Sequence, residues 1–326
     1  MILPKNQSAL IEEIYSISKS NSVELFLVGG FLRDSLLDIE SLDYDFVVEG
    51  DAIKFAETLK AEIGGELKSF ASFGTAKLVN FNFESSIYEL DFAMAREESY
   101  AHPGALPTVV SGKLESDLQR RDFTINSMAI ALRDIVESLN AELTLKELIR
   151  AKLLDPFGGL LDLDQKLIRI LHDLSFQDDP TRIFRAYRYL VRIGGELEQH
   201  TAKLLQTALK DCALQNISVF RIYNEFKKIA LEQNPSRVFA ELLKHGVLAG
   251  CGWFSKKSGE KFCQAVELSN NLSEDLPLIL LASIDQVKAE AALKEMRFKS
   301  KEISAFKNQI TQSSDSVLIS FLNECK

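Results

Sequence analysis

Residues 25 to 49, LFLVGGFLRDSLLDIESLDYDFVVE, constrain this chain more than any other stretch. The apolar run Leu25 to Val28 has the length and composition of a buried strand, and Gly29 and Gly30 interrupt it. Leu32, Leu36 and Leu37 then fall on one side of a helix that starts at Phe31. A strand, a glycine turn and a helix start, in that order, bring backbone N–H groups and the positive end of a helix dipole to one spot. Arg33 adds a cation in the first turn, so an anion is expected there. A second strand follows, in which Asp43 and Asp45 are two apart and turn both carboxylates to one face, ahead of Phe46, Val47 and Val48. Two like charges side by side call for a cation, and Mg²⁺ is the ion that prefers oxygen ligands while keeping positions open for phosphates. Each feature alone has an ordinary explanation, a tight turn for Gly-Gly and a solvated strand start for Asp-x-Asp. Their combination, an anion cradle beside a carboxylate pair, is what nucleotidyl transfer requires.

The 326 residues are 46% hydrophobic and 26% charged, enough for two or three packed units. No apolar stretch approaches the length of a membrane span, and the opening MILPKNQSAL lacks the basic and apolar regions of a secretory signal, so a cytoplasmic protein is expected. Cys212, Cys251, Cys263 and Cys325 are scattered without C-x-x-C spacing, which points away from a zinc site or a disulfide framework. A formal charge of −9 excludes a surface coated in basic residues. Arginine is concentrated between Arg120 and Arg192, which would confine phosphate attraction to one cleft.

Gln7 to Lys19 reads as an amphipathic helix, and Ala52 to Ile63 as another that stops at Gly64-Gly65. Strands are predicted over Glu66 to Phe70, Ala76 to Phe81 and Ile87 to Ala93. On the last of these Tyr88, Leu90 and Phe92 take one face, and Glu89, Asp91 and Ala93 the other. If this strand neighbours the DYD strand, Asp91 becomes a third carboxylate of the cation site; the alternative is an aspartate bound to a nearby backbone N–H. Ala95 to Gly112 has two prolines, two glycines and no periodicity, and is expected to be a mobile loop.

Beyond Glu115 the pattern is helical. In Leu118 to Ala131, LQRRDFTINSMAIA, Arg121, Ile125 and Met128 recur at helical spacing, and Asp122 and Asn126 would share a face able to bond a ribose. In Gln177 to Arg192, QDDPTRIFRAYRYLVR, Pro180 suits a first helical turn, and Asp179, Arg182, Arg185, Arg188 and Arg192 make one polar stripe. A charge stripe is ordinarily a solvated face, yet one that is nearly all arginine repels itself unless anions lie against it.

GGFLRD followed by DYD resembles the first motif of the tRNA nucleotidyltransferase and bacterial poly(A) polymerase family, the class II branch of the polymerase β superfamily. RRDFTIN resembles the family's second motif, DPFGG at Asp155 to Gly159 its third, and the segment from Asp178 its EDxxR motif, with Asp where the family usually has Glu. ISVFRIYNEFKKI resembles the helix that opens the family's body domain. The resemblance implies an α/β plus all-α fold, with a mixed-sheet head over 1–138, a helical neck over 139–214 and a helical body over 215–326 that binds tRNA. It implies Mg²⁺ on Asp43, Asp45 and Asp91, and nucleotide contacts from Gly29, Gly30, Arg33, Arg121, Asp122 and Asn126. Asp179 and Arg182, supported by Arg185 and Arg188, would choose the base. DPFGG would be a hinge, and the loop over 95–112 resembles that of relatives which add adenosine. The implied activity is template-independent addition of CMP or AMP from CTP or ATP to the tRNA 3′ end, with pyrophosphate released and no protein partner. A poly(A) polymerase of the same family and a noncatalytic RNA-binding relative stand as alternatives.

Overall fold

The computed structural model describes residues 4–39, 43–84, 86–139, 143–284, 286–312 and 317–324. Cys325 lies outside the described residues. The chain forms two compact units, one made of residues 1–101 and 106–171, the other of 102–105 and 172–326.

The first unit is built on a six-stranded sheet. It begins with α1 (Lys5–Ser20), β1 (Glu24–Val28), α2 (Gly30–Leu36), β2 (Asp43–Glu49), α3 (Ala52–Ile63), β3 (Glu66–Phe70), β4 (Thr75–Phe83) and β5 (Ser86–Met94). The hairpin β6 (Arg96–Ser99) and β7 (Thr108–Ser111) follows, then α4 (Leu114–Gln119), β8 (Ala129–Ala131), α5 (Leu132–Ser138), α6 (Leu145–Lys152), α7 (Gly159–Asp164) and β9 (Leu167–Ile168). Spatial order is β3-β4-β5-β2-β1-β8. Only the β2–β5 pair is parallel; the other neighbours run antiparallel.

Alternation in β2 and β5 decides which face is filled. Tyr44, Phe46, Leu90 and Phe92 are buried on one side, where Phe46 stacks on Phe92 at 5.2 Å and Phe55 of α3 meets Phe92 edge-on at 5.5 Å. The carboxylates of the same strands are thereby turned to the opposite face. Asp51 caps α3 by accepting the N–H of Lys54, and Gly64, at φ 82°, ends it as the sequence predicts.

Three expectations need correction. The segment over 95–112 is a hairpin rather than a featureless loop: Arg96 to Ser99 pair with Thr108 to Ser111. Its register is fixed by Glu98, which accepts from Arg96 and Arg120, both at 2.8 Å. RRDFTIN is not a helix, because α4 ends at Gln119, Phe123 is extended and bridges Ile170, and only a single 3₁₀ turn spans Thr124–Asn126. Finally, the first unit runs on to residue 171, past the expected head boundary at 138. Backbone bonds between Ala129 and Leu154 in both directions, and from Thr124 to Arg169, hold the later segment to the sheet unit.

The second unit is helical apart from the short strand β10 (Glu196–Leu197). It contains α8 (Ser175–Asp178), α9 (Thr181–Ile193), α10 (Gln199–Lys210), α11 (Val219–Ala230), α12 (Pro235–Lys244), α13 (Val247–Gly250), α14 (Lys256–Leu268), α15 (Leu272–Ser283), α16 (Gln286–Glu295), α17 (Ser300–Gln312) and α18 (Val317–Glu324). Helices α9, α11, α12, α14 and α15 share a core centred on Phe226, Phe239 and Phe262, so the expected division at 214 falls within one packed body. Among the described residues no helix is long and apolar enough to cross a membrane.

Candidate active site

Asp45 and Asp91 are direct partners across the parallel β2–β5 pair, and Asp43 is the partner of Glu89 two residues earlier. Paired residues and residues two apart share a face, so Asp43, Asp45 and Asp91 stand together, as the sequence predicts for that strand order. Burial pushes the Asp45 carboxyl up to about 6; Arg121 pulls it down, while Asp91 and Asp43 push it up again and Lys77 opposes them. Among the described residues no three ligating side chains are drawn into a ready-made metal cage. The donor set nevertheless suits a hard divalent cation: three carboxylates on one sheet face, with mutual repulsion that such an ion would relieve.

Lys77, which the sequence reading passed over, is the antiparallel partner of Asp91 on β4. Its ammonium lies 3.0 Å from Asp91 Oδ2 and 2.9 Å from Glu89 Oε2. Partial burial works against its charge, but the bonds to Glu89 and Asp91 prevail and raise Lys77 to about 12.

The glycine turn supplies the facing wall. Gly29 has φ 70° and ψ −127°, a backbone conformation that L side chains rarely adopt. A Cβ there would lie 3.0 Å from Arg121 Nη1 and 3.8 Å from Asp45 Oδ2, so the glycine lets the guanidinium come close to the carboxylate group. The Gly29 N–H donates to the Met128 carbonyl at 3.3 Å, whereas Gly30 and Phe31 stand in the first turn of α2, where backbone N–H groups have no partner within the helix.

Arg121 is held from behind by Asp117, whose Oδ2 accepts from Nη2 at 2.9 Å and from Nε at 3.3 Å. Asp117 is fully buried and also accepts from Arg120 at 2.6 Å. Burial alone would raise its carboxyl, but Arg121 and Arg120 hold it below the ordinary value. The signal was present in the sequence as Asp-x-x-Arg-Arg, with i,i+3 and i,i+4 spacing that runs from α4 into the residues just past its end.

Asp122 and Asn126 do meet, although not on a helix. Asn126 Nδ2 donates to Asp122 Oδ1 at 3.0 Å, and Asn126 Oδ1 accepts from Arg33 Nη1 at 2.5 Å. Arg33 is 2% exposed and also donates twice to Asp34 at 2.8 Å. The expected phosphate hand is thus an internal strut that ties α2 to the RRDFTIN turn.

DPFGG is a packed joint inside the first unit. Asp155 accepts from the N–H groups of Gly159 at 2.7 Å and Leu160 at 2.9 Å, capping the start of α7. A Cβ on Gly159 would lie 2.1 Å from the Thr124 carbonyl oxygen, and Asp162 accepts from the Thr124 hydroxyl at 2.6 Å. The motif therefore buttresses the RRDFTIN turn.

In the second unit Pro180 stands before α9, and Asp179 is extended one residue earlier. Asp179 Oδ1 accepts from the Thr181 N–H at 3.0 Å, its hydroxyl at 2.6 Å and Arg221 Nη2 at 2.7 Å. Arg221 also donates to the Gly104 carbonyl at 2.8 Å. Arg182 is buried and donates to the Ser175 hydroxyl at 2.7 Å.

The guanidiniums of Arg185, Arg188 and Arg192 lie 5.4, 5.0 and 5.6 Å from the Tyr189 ring centroid. Protein carboxylates answer part of the stripe's self-repulsion: Glu232 pairs with Arg192 and lies 3.5 Å from Arg188, and Glu225 is 3.9 Å from Arg188. Arg188 is accordingly a buried, paired residue.

Residues 25–169 match the poly A polymerase head domain, and residues 196–251 match the probable RNA and SrmB-binding site of polymerase A. The chain is 40% identical over 246 residues to an A-adding tRNA nucleotidyltransferase of Geobacter sulfurreducens, covering 76% of this chain and 26% of the relative. It is 39% identical over 243 residues to an A-adding enzyme of Halalkalibacterium halodurans, covering 74% and 53%. Against a CC-adding enzyme of Deinococcus radiodurans the identity is 32% over 248 residues, covering 76% and 59%. The chain thus spans between about a quarter and somewhat over half of the length of these curated relatives.

Among solved structures, a CCA-adding enzyme in its apo form II superposes with a TM-score of 0.72 at 30% identity, over 95% of this chain and 72% of that one. A tRNA nucleotidyltransferase complexed with a primer tRNA and an incoming ATP analog gives a TM-score of 0.69 at 29% identity, over 96% and 94%.

Proposed function

The chain belongs to the tRNA nucleotidyltransferase and bacterial poly(A) polymerase family, and we propose that it adds nucleotides to the tRNA 3′ end without a nucleic-acid template, with AMP from ATP as its principal substrate. The observation that carries the reading is the register of Asp45 with Asp91, with Asp43 on the same face and Arg121 beside the Gly29 turn. That arrangement pairs carboxylates for a cation with donors for a triphosphate.

Asp43, Asp45 and Asp91 would hold Mg²⁺. The bound ion supplies Lewis-acid stabilisation of phosphate charge and activation of the attacking hydroxyl. Arg121, kept in place by Asp117, and the first N–H groups of α2 bind the triphosphate. The tRNA 3′-hydroxyl attacks the α-phosphate in line, and pyrophosphate leaves. Arg33 acts through Asn126, holding the RRDFTIN turn against α2.

Base choice rests on Asp179 and Arg182. A carboxylate accepts and a guanidinium only donates. Adenine and cytosine each present an amino donor beside a ring-nitrogen acceptor, whereas guanine and uracil present the reverse and would leave buried groups unpaired. Both side chains are held by neighbours, Asp179 by Thr181 and Arg221, Arg182 by Ser175, which favours rigid reading of that edge. The preference for ATP over CTP follows the relatives: the two A-adding enzymes are 40% and 39% identical, the CC-adding enzyme 32%.

The test offers purified protein tRNA transcripts ending before CCA, after CC and after CCA, with labelled ATP or CTP and Mg²⁺. Extension of the CC-ended transcript by one adenosine is expected. Long tails on any transcript would make the chain a poly(A) polymerase. No incorporation at all would end the catalytic reading; full activity after Asp43→Ala with Asp45→Ala would end the assignment of the metal to these carboxylates.

A further inference from the structure

The cation site carries a positive charge of its own. Lys77 is fixed to the site by strand pairing, since its backbone is in register with Asp91 and its Nζ reaches Asp91 Oδ2 at 3.0 Å. The same ammonium reaches Glu89 Oε2 at 2.9 Å, and Glu89 lies two residues before Asp91 on the same face. Glu89 is more exposed than either of the other two groups. It is absent from the carboxylate set assigned to Mg²⁺, and neither it nor Lys77 binds the triphosphate or the base in the proposed reaction.

We propose that Lys77 is a built-in counter-ion that occupies Asp91 in the metal-free protein and moves onto Glu89 alone when a divalent cation takes Asp91, so that the Lys77–Glu89 pair sets metal affinity. The geometry makes the exchange small. One ammonium already touches both carboxylates, so giving up Asp91 keeps one charge-assisted bond and requires only rotation about the lysine stem. In the metal-free state the ammonium offsets the repulsion that Asp91 and Asp43 impose on Asp45. A cation that binds must then compete with a tethered one, which weakens binding to the free protein. Arrival of a triphosphate adds negative charge and tips the competition toward the divalent ion. Lys77 is a positioning residue in this account, acting through Asp91, and the inference rests on Asp43, Asp45 and Asp91 being the metal set.

The test is a titration of the whole protein with Mn²⁺, free ion being read by electron paramagnetic resonance at fixed ionic strength and without nucleotide or tRNA. Lys77→Met should tighten Mn²⁺ binding several-fold, and Lys77→Arg, which keeps a cation able to reach both carboxylates, should restore the ordinary affinity. Glu89→Gln should weaken binding several-fold by leaving the ammonium on Asp91. That loss should largely vanish in Lys77→Met with Glu89→Gln, because Glu89 acts by holding the lysine aside. An unchanged affinity in Lys77→Met overturns the proposal, as does a Glu89→Gln loss that persists in full without the lysine. Asp45→Asn separates the layers. If it abolishes Mn²⁺ binding while the lysine variants change nothing, only the counter-ion role falls; if it leaves binding intact, the metal assignment falls and this inference with it. Thermal unfolding of each variant establishes that the proteins compared are folded, and Lys77→Gln provides a second neutral variant should methionine disturb the sheet.

Discussion

Asp45 and Asp91 sit opposite each other in the sheet's one parallel strand pair, and no backbone movement can separate them without unzipping β2 from β5. The repulsion between them is therefore a fixed property of the fold. It is built in because Phe46 and Phe92, one residue further along each strand, stack on the other face and hold the register.

Replacing Asp45 by Asn should stabilise the metal-free protein at neutral pH. Its folded carboxyl is raised to about 6 from an ordinary 3.8, so the folded state holds more protons than the unfolded one between those values. The stability this group contributes is present below about pH 4 and is lost as pH rises through 6. Asp45→Asn escapes that loss. The expected gain is at most about 3 kcal/mol at pH 7.5, shrinking toward zero at pH 4, read from urea midpoints at both values. A gain that is the same at both pH values would show that burial and repulsion are not its source.

Gly29→Ala should cost both stability and nucleotide affinity. The backbone at φ 70° and ψ −127° disfavours any side chain, at about 1–3 kcal/mol. The new methyl would also press on Arg121 Nη1 from 3.0 Å. A fall in melting temperature together with at least tenfold weaker ATP binding is expected by calorimetry. Weaker folding with unchanged ATP binding would remove Arg121 from the triphosphate site.

Asp117→Asn tests the support behind that arginine. The change leaves Arg120 and Arg121 facing a neutral amide at a fully buried position, and breaking one partner of a buried pair costs about 3 kcal/mol. Denaturation should report a loss near that size. Incorporation should fall through a raised KM for ATP, because Arg121 no longer has a carboxylate to hold its fork.

How much of this was open to reading depended on how local the cause was. The β1 to β2 stretch, α3 and the strands to β5 follow from alternation, glycine stops and a single cap, all within a few residues of one another. RRDFTIN defeated the periodicity because its helical spacing is overridden by partners far away: Phe123 bridges Ile170, Thr124 bonds Arg169 and Asp162, and Asn126 takes Arg33. The hairpin of β6 and β7 was hidden for a related reason. Its strands are four residues each, β6 is mostly charged, and what ties β6 down is Glu98 between Arg96 and Arg120. The arginine stripe of α9 was legible as a stripe, but Glu225 and Glu232, which neutralise part of it from thirty or more positions on, were not. Asp43 and Asp45 could be named because residues of one strand face are spaced by two, and Asp91 through the family resemblance and an assumed β2–β5 neighbourhood, whereas Lys77 needed the antiparallel register of β4 that no local pattern declares.

Arg221→Met addresses selectivity. Arg221 joins Asp179 Oδ1 at 2.7 Å to the Gly104 carbonyl at 2.8 Å, so one guanidinium fixes the proposed base-reading carboxylate and the tip between β6 and β7 together. Thr181 would still hold Asp179 through two bonds to the same oxygen, so the fold around α9 should survive. Besides the bond to Gly104, what Asp179 loses is one charge-assisted contact, about 1.5–3 kcal/mol, that restricts how the carboxylate is turned. If Asp179 reads the amino group of the incoming base, its freer rotation should let it tolerate guanine, and the ratio of kcat/KM for ATP over GTP should fall by about tenfold. Total incorporation of ATP should fall less than that ratio does. A variant that loses ATP and GTP incorporation equally would mean that Arg221 supports the unit as a whole, and that discrimination resides elsewhere than at Asp179.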